Sequence, residues 1–137
     1  MANVVAEMDF NHVIVAHGMD GLDEISLLGK TSMAEIQNGR VRYSEVSPED
    51  FGLKRCALKD IAGGPPEFNA RVIRDIFSGV ERGPRRDFLV LNNAATLYVS
   101  GKVPSIRDGL DLSRSLIDSG AAERKLQELV EASQPSG

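Results

Sequence analysis

The segment His17-Gly18-Met19-Asp20-Gly21-Leu22-Asp23-Glu24-Ile25-Ser26 gathers three acids and two glycines. Adjacent carboxylates Asp23 and Glu24 supply hard oxygen donors. These suit magnesium, an ion that keeps several waters and reaches substrate phosphates through one or two carboxylates. A diphosphate ester is the substrate chemistry such a loop would serve. The competing reading is a solvated acidic turn, which spacing alone does not distinguish from a metal loop.

Other reactive side chains have plainer expected roles. Asp20 is expected to order the glycine loop through an Asx turn. His17, at a strand end, is expected to make a structural hydrogen bond, with help to a metal as its other open role. Arg85-Arg86 stand near a helix start, where they could clamp phosphate or simply be solvated. Cys56 has no histidine neighbour in sequence and reads as a structural or half-exposed thiol.

The elements that must position the acids follow from local pattern. Val4, Val5 and Met8 recur at helical spacing with no Ser, Thr or Asp cap before them, so Met1 is expected not to be the natural start. His12-Val13-Ile14-Val15-Ala16-His17 is a β-branched apolar run closed by Gly18, which suits a strand buried on both faces of a parallel sheet. The acids then lie past the carboxyl end of that strand, the edge at which open parallel sheets bind ligands. Residues 18–31 read as an ordered loop. Residues 33–37 and 40–46 flank Asn38-Gly39, the dipeptide of a type I′ hairpin. Ser47-Pro48-Glu49-Asp50 carries the signals of a capped single turn.

Helices are predicted over 66–78 and 84–100, each stopped by glycine. Ser105 caps a further helix with Asp108 at N3, and Asp118-Ser119-Gly120 breaks it before a last amphipathic helix through Leu126, Leu129 and Val130. The tail 133–137 should fray. No linker or repeat appears, so 1–137 is read as a single unit. Strands crowd its first third, a lopsided inventory that predicts a partner or a missing segment.

Bulk composition bounds the function classes. A chain of 137 residues, 42% hydrophobic and 26% charged, is ordinary for one soluble domain. The formal charge of −4, with both signs interspersed, provides no general field for nucleic acid or an anionic membrane. Cys56 stands alone, which rules out an intramolecular disulfide and a cysteine-based zinc cluster. Apolar runs are far too short to span a bilayer, and a cytoplasmic location is expected.

An ordered series of blocks carries more information than any one of them. His17-Gly18-x-Asp20-Gly21-Leu22-Asp23-Glu24-Ile25-Ser26-Leu27 is followed by Pro48-Glu49-Asp50-Phe51-Gly52-Leu53, Gly63-Gly64, Asn69-Ala70 and Gly83-Pro84-x-Arg86-Asp87. Leu91-Asn92, Leu97-Tyr98-Val99-x-Gly101-Lys102 and Ile117-Asp118-Ser119-Gly120 complete it. From about residue 13 to 132 the chain resembles the C-terminal section of anthranilate phosphoribosyltransferases. Leu28 and Lys30 stand where that pattern usually reads Thr and Pro, and Pro65 follows Gly63-Gly64 where an acid or serine is common.

The resemblance implies an α/β fold: the C-terminal portion of a mainly parallel sheet domain, with a β-hairpin insertion and helices packed on the sheet. It implies transfer of phosphoribose from phosphoribosyl diphosphate to anthranilate in tryptophan biosynthesis, with Asp23 and Glu24 holding Mg2+ against the diphosphate. Asn92 matches a family position, although a buried asparagine capping a loop explains it equally well. The family's glycine-rich diphosphate loop, Lys-His-Gly-Asn-Arg segment, anthranilate-contacting arginine and helical dimerisation domain precede this stretch. The chain alone is therefore expected to be inactive, with no catalytic residue of its own beyond the metal pair. Its expected partner is the missing N-terminal part or another copy. Two alternatives stay open: a non-catalytic binding or oligomerisation module on the same scaffold, and a relative of pyrimidine-nucleoside phosphorylases.

Overall fold

A computed structural model describes residues 1–8 and 10–134, so the last three residues of the tail expected to fray lie outside it. After a short helix α1 (Ala2–Ala6), three strands form one sheet in the order β1 (His12–Gly18), β2 (Thr31–Gln37), β3 (Arg40–Val46). Both pairings are antiparallel, with Gly18 opposite Thr31 and Gln37 opposite Arg40. The mixed α/β class is as expected, but within this chain the parallel setting drawn from the apolar β1 run is corrected. Residues 19–30 turn the chain back on itself, and Met19 N donates to the Lys30 carbonyl at 2.8 Å, which extends the β1–β2 ladder into the loop.

Burial explains why β1 misled. Its residues 12–16 are only half-buried, while central β2 buries Met33, Ala34 and Ile36. A run of β-branched residues signals apolar surroundings without stating which neighbour supplies them. Here one edge of β1 pairs with β2 and the other has no partner strand among the described residues. The predicted hairpin is present, with Asn38 at φ 50° and Gly39 at φ 73°, the positive pair a type I′ turn needs.

The later helices reach the sheet on the face that carries Glu35, while α1 contacts β2 and β3. A 3-10 turn (Pro48–Phe51) starts where Ser47 N donates to Asp50 Oδ2 at 2.7 Å. A single helical turn α2 (Leu58–Ile61), not foreseen from the sequence, leads to α3 (Pro66–Phe77), α4 (Pro84–Val99), α5 (Ile106–Asp118) and α6 (Ala121–Ser133). Ser105 Oγ accepts from Asp108 N at 3.1 Å, as its capping pattern predicts. The core joins Ile25, Leu27 and Met33 of the sheet region to Val90, Leu91, Ala94, Leu110 and Ile117 of α4 and α5. Each fully buried Leu, Ile, Val or Met side chain among these contributes about 1.5–3 kcal/mol. The helix α4 runs through the middle of this core, with one face on α5 and the other on β1.

Candidate functional site

The acid loop is built by polar contacts. Asp20 Oδ1 accepts from Leu22 N at 3.1 Å, the expected Asx turn, and Asp20 Oδ2 accepts from Ser26 Oγ at 2.5 Å. Both oxygens of Asp20 thereby serve to order the loop. The Ser26 hydroxyl also accepts from Leu28 N at 2.9 Å, and Ser26 N donates to Thr31 Oγ1 at 2.9 Å. Gly18 N donates to the Leu22 carbonyl at 2.7 Å. A Cβ on Gly18 would fall 2.7 Å from Asp20 Oδ1, so only glycine permits this approach.

Asp23 and Glu24 ride on top of this framework. Both are exposed, and both line an open groove of about 380 Å³ whose floor is Ile14 and Ala16 of β1 with Ala95 and Val99 of α4. Neither acid has an ion-pair or hydrogen-bond partner among the described residues. No group of three or more His, Cys, Asp or Glu side chains that could hold a metal occurs among those residues. The donor set is thus an open carboxylate pair rather than a protein cage. That is the kind of site magnesium shares with waters and a phosphate-bearing ligand.

The loop's other wall is α4. Ile25 N donates to Asn92 Oδ1 at 2.9 Å, and Asn92 Nδ2 donates to the Ile25 carbonyl at 3.0 Å and to the Phe88 carbonyl at 3.1 Å. Asn92 is therefore the loop-holding asparagine of the plainer reading. His17 is exposed, does not line the groove and makes no side-chain hydrogen bond among the described residues, which corrects its expected structural role.

The paired arginines are engaged elsewhere. Arg85 Nη2 donates to the Ala62 carbonyl at 3.3 Å and lies over the Phe68 ring at 5.5 Å, and Arg86 pairs with Asp118 at 2.8 Å. Cys56 is half-buried; burial, then the charges of Asp60 and Asp87, push its thiol pKa up, which suits the structural reading.

One half-buried polar cluster escaped sequence reasoning. His12 Nε2 and Tyr98 OH both meet Glu35 Oε1, at 2.9 and 2.6 Å, and the His12 and Tyr98 rings stand edge to face with centroids 4.7 Å apart. Burial works to raise the Glu35 pKa, but the hydrogen bonds from Tyr98 and His12, with the charges of His12 and Arg42, bring it below the ordinary carboxylate value. The same bond to Glu35 leads the causes that raise the Tyr98 pKa. The available signal was a lone acid inside the apolar β2 pattern Met33-Ala34-Glu35-Ile36.

With this geometry in view, one likeness is decisive: residues 1–123 match the model of the glycosyl transferase family, a/b domain. The chain belongs to that family. Members similar to it include the anthranilate phosphoribosyltransferases of Methanobrevibacter smithii and Acetivibrio thermocellus. The first is 43% identical over 96% of this chain and 39% of the relative, the second 46% over 96% and 38%. The chain thus spans about two fifths of the length of the curated relatives it matches. The family fold is seen in the crystal structure of anthranilate phosphoribosyltransferase from Thermus thermophilus. It is 37% identical with TM-score 0.79, covering 88% of this chain and 35% of that one. A Saccharomyces cerevisiae anthranilate phosphoribosyltransferase in complex with PRPP and Mg is 28% identical with TM-score 0.78, covering 86% and 34%.

Proposed function

We propose that this chain supplies the magnesium-holding carboxylates, Asp23 and Glu24, of an anthranilate phosphoribosyltransferase acting in the cytoplasm on phosphoribosyl diphosphate and anthranilate. The observation that carries the reading is the pair's position: two acids with no partner among the described residues on one groove, on a loop ordered by the Asp20 and Ser26 side chains and held to α4 by Asn92. The relatives' names and the yeast complex with PRPP and Mg support the substrate and the ion. In the reaction, the bond from the ribose anomeric carbon to diphosphate breaks and one to the anthranilate amine forms, with the amine proton passing to solvent or a base outside this chain. Bound magnesium would neutralise charge on the departing diphosphate. The chain's own contribution is to present Asp23 and Glu24 on a loop that needs no rearrangement, a matter of position and electrostatics.

On this reading the chain is one unit of the α/β domain, and the glycine-rich diphosphate loop, the Lys-His-Gly-Asn-Arg segment and the anthranilate-contacting arginine that the resemblance implies belong to other elements of the enzyme. The 137-residue chain alone is therefore inactive, and ordinary turnover by the purified chain would refute this. Joined to the preceding elements the resemblance implies, it should convert anthranilate with PRPP. A D23A/E24A variant of that protein should lose roughly 100-fold or more in kcat/KM, on the scale of removing a principal electrostatic stabiliser. An unchanged rate sinks the proposal, and turnover of thymidine with phosphate in its place would favour the phosphorylase reading.

The unpaired edge of β1 favours one second reading, a module that binds a partner. Met8, Phe10 and Leu129 are also exposed, at 52%, 50% and 65%. A clean monomer in sedimentation, at all concentrations tested, counts against it.

A further inference from the structure

Asp23 and Glu24 occupy the two positions between a pair of anchored residues. On one side, Leu22 is held through both its backbone groups, by Asp20 Oδ1 at 3.1 Å and by Gly18 N at 2.7 Å. On the other, Ile25 is held through both its backbone groups by Asn92 alone, from a helix far along the chain. The contact repeats the logic of a strand pairing: an N–H donates to a carbonyl oxygen and an N–H returns to the neighbouring carbonyl. Only a side-chain amide carries donor and acceptor in that fork. Its orientation is determined too, because Nδ2 faces the Ile25 and Phe88 carbonyls while Oδ1 faces an N–H.

We infer that Asn92 is a positioning residue for the acid pair, locking the loop to α4 so that both carboxylates face the groove before any ligand arrives. The inference rests on the metal role proposed above for Asp23 and Glu24, and it adds the residue that sets their placement. Three features favour it over simple loop packing. The anchored residue directly follows Glu24. The same Asn92 lines the groove that the acids line. The apolar neighbours Leu91 and Ala94, both fully buried, already fasten α4 to the core without it.

The test uses the 137-residue chain, with Mn2+ plus inorganic diphosphate as the probe and no turnover required. Asn92→Ala removes the fork, and Asn92→Gln keeps the amide but displaces it by one methylene. Amide exchange by NMR should show Asn92→Ala losing protection at Ile25 while α4 stays protected. Mn2+–diphosphate affinity should fall about 10-fold or more, the usual scale for an outer partner of a metal ligand. Asn92→Gln should fall between Asn92→Ala and the unaltered chain in both readouts. Unchanged Ile25 exchange, or a loosened loop with unchanged Mn2+ affinity, overturns the inference. If Asn92→Ala fails to fold, the decision passes to Asn92→Gln, where wild-type values overturn it. A D23A/E24A double variant that binds the probe as tightly as the unaltered chain defeats the metal reading, and this inference with it. That failure is distinguishable, because Ile25 exchange reports the clamp without any metal.

Discussion

The acid loop and the α4–α5 core lie side by side on the same helix and are held by opposite means. Between α4 and α5 the contact is apolar and close: Val90, Leu91 and Ala94 are fully buried, and Gly109 sits directly against the Ala94 backbone. Ile25 and Leu27 enter that same core, but the acid end of the loop, residues 18–24, rests on a few hydrogen bonds from Asp20 and Gly18, with Asn92 holding Ile25 and the two acids between left free among the described residues. The core resists change through many small contacts, whereas the loop depends on a few directional ones. A site made this way can expose its charges at little cost to stability.

That contrast can be broken at several points. Leu91→Ala should cost the most, about 3 kcal/mol in denaturant unfolding, from lost transfer energy plus the cavity left in the core. A cost below that of a surface substitution would mean the α4–α5 contact is looser than its burial states. Gly109→Ala comes next. Its Cβ would fall 2.6 Å from the Ala94 carbonyl oxygen and 3.0 Å from the Ala94 Cα, backbone atoms that cannot swing aside. Overpacking should outweigh the gain in helix propensity and leave a loss of about 2 kcal/mol, readable in thermal melts.

The polar cluster joining β1, β2 and α4 sharpens the comparison. Tyr98→Phe removes the donor to Glu35 and should cost about 1 kcal/mol at neutral pH. Because folding lowers the Glu35 pKa, its contribution is complete above the ordinary carboxylate range. It is lost as pH falls through that range to the lowered value. Glu35→Gln should therefore flatten the acid limb of the stability curve, and an unaltered limb would show that the cluster does not report on folding. Asp87 acts with the opposite sign: burial, ahead of the opposing charges of Arg114 and Arg86, raises its pKa, so its ionisation costs stability as pH rises.

The smallest expected change is at the acids themselves. D23A/E24A should leave stability within about 0.5 kcal/mol of the unaltered chain, since neither side chain has a partner to lose among the described residues. A larger loss would show that the pair is structural after all.

Much of this was legible beforehand wherever a local signal is strong. Asn38-Gly39 announced its hairpin, Ser105 its cap, and glycines 79 and 101 the ends of α3 and α4. Asp20 took up the predicted turn because that contact spans only two residues. Short α2 went unseen because one turn has no period to detect. His17 was given a hydrogen bond that its exposed setting does not supply.

By itself the sequence determined the hairpin, the acid loop and the four longer helices, α3 to α6, and it singled out Asp23 and Glu24 as candidates. It did so because caps, turns and adjacent acids act over a few residues. Only the tertiary structure decided that β1 pairs antiparallel, that Asn92 reaches across to Ile25, and that His12, Glu35 and Tyr98 meet. The side-chain contacts among these join residues 23 to 67 positions apart. Their partners are chosen by how the helices and sheet pack, and spacing along the chain carries no record of that choice.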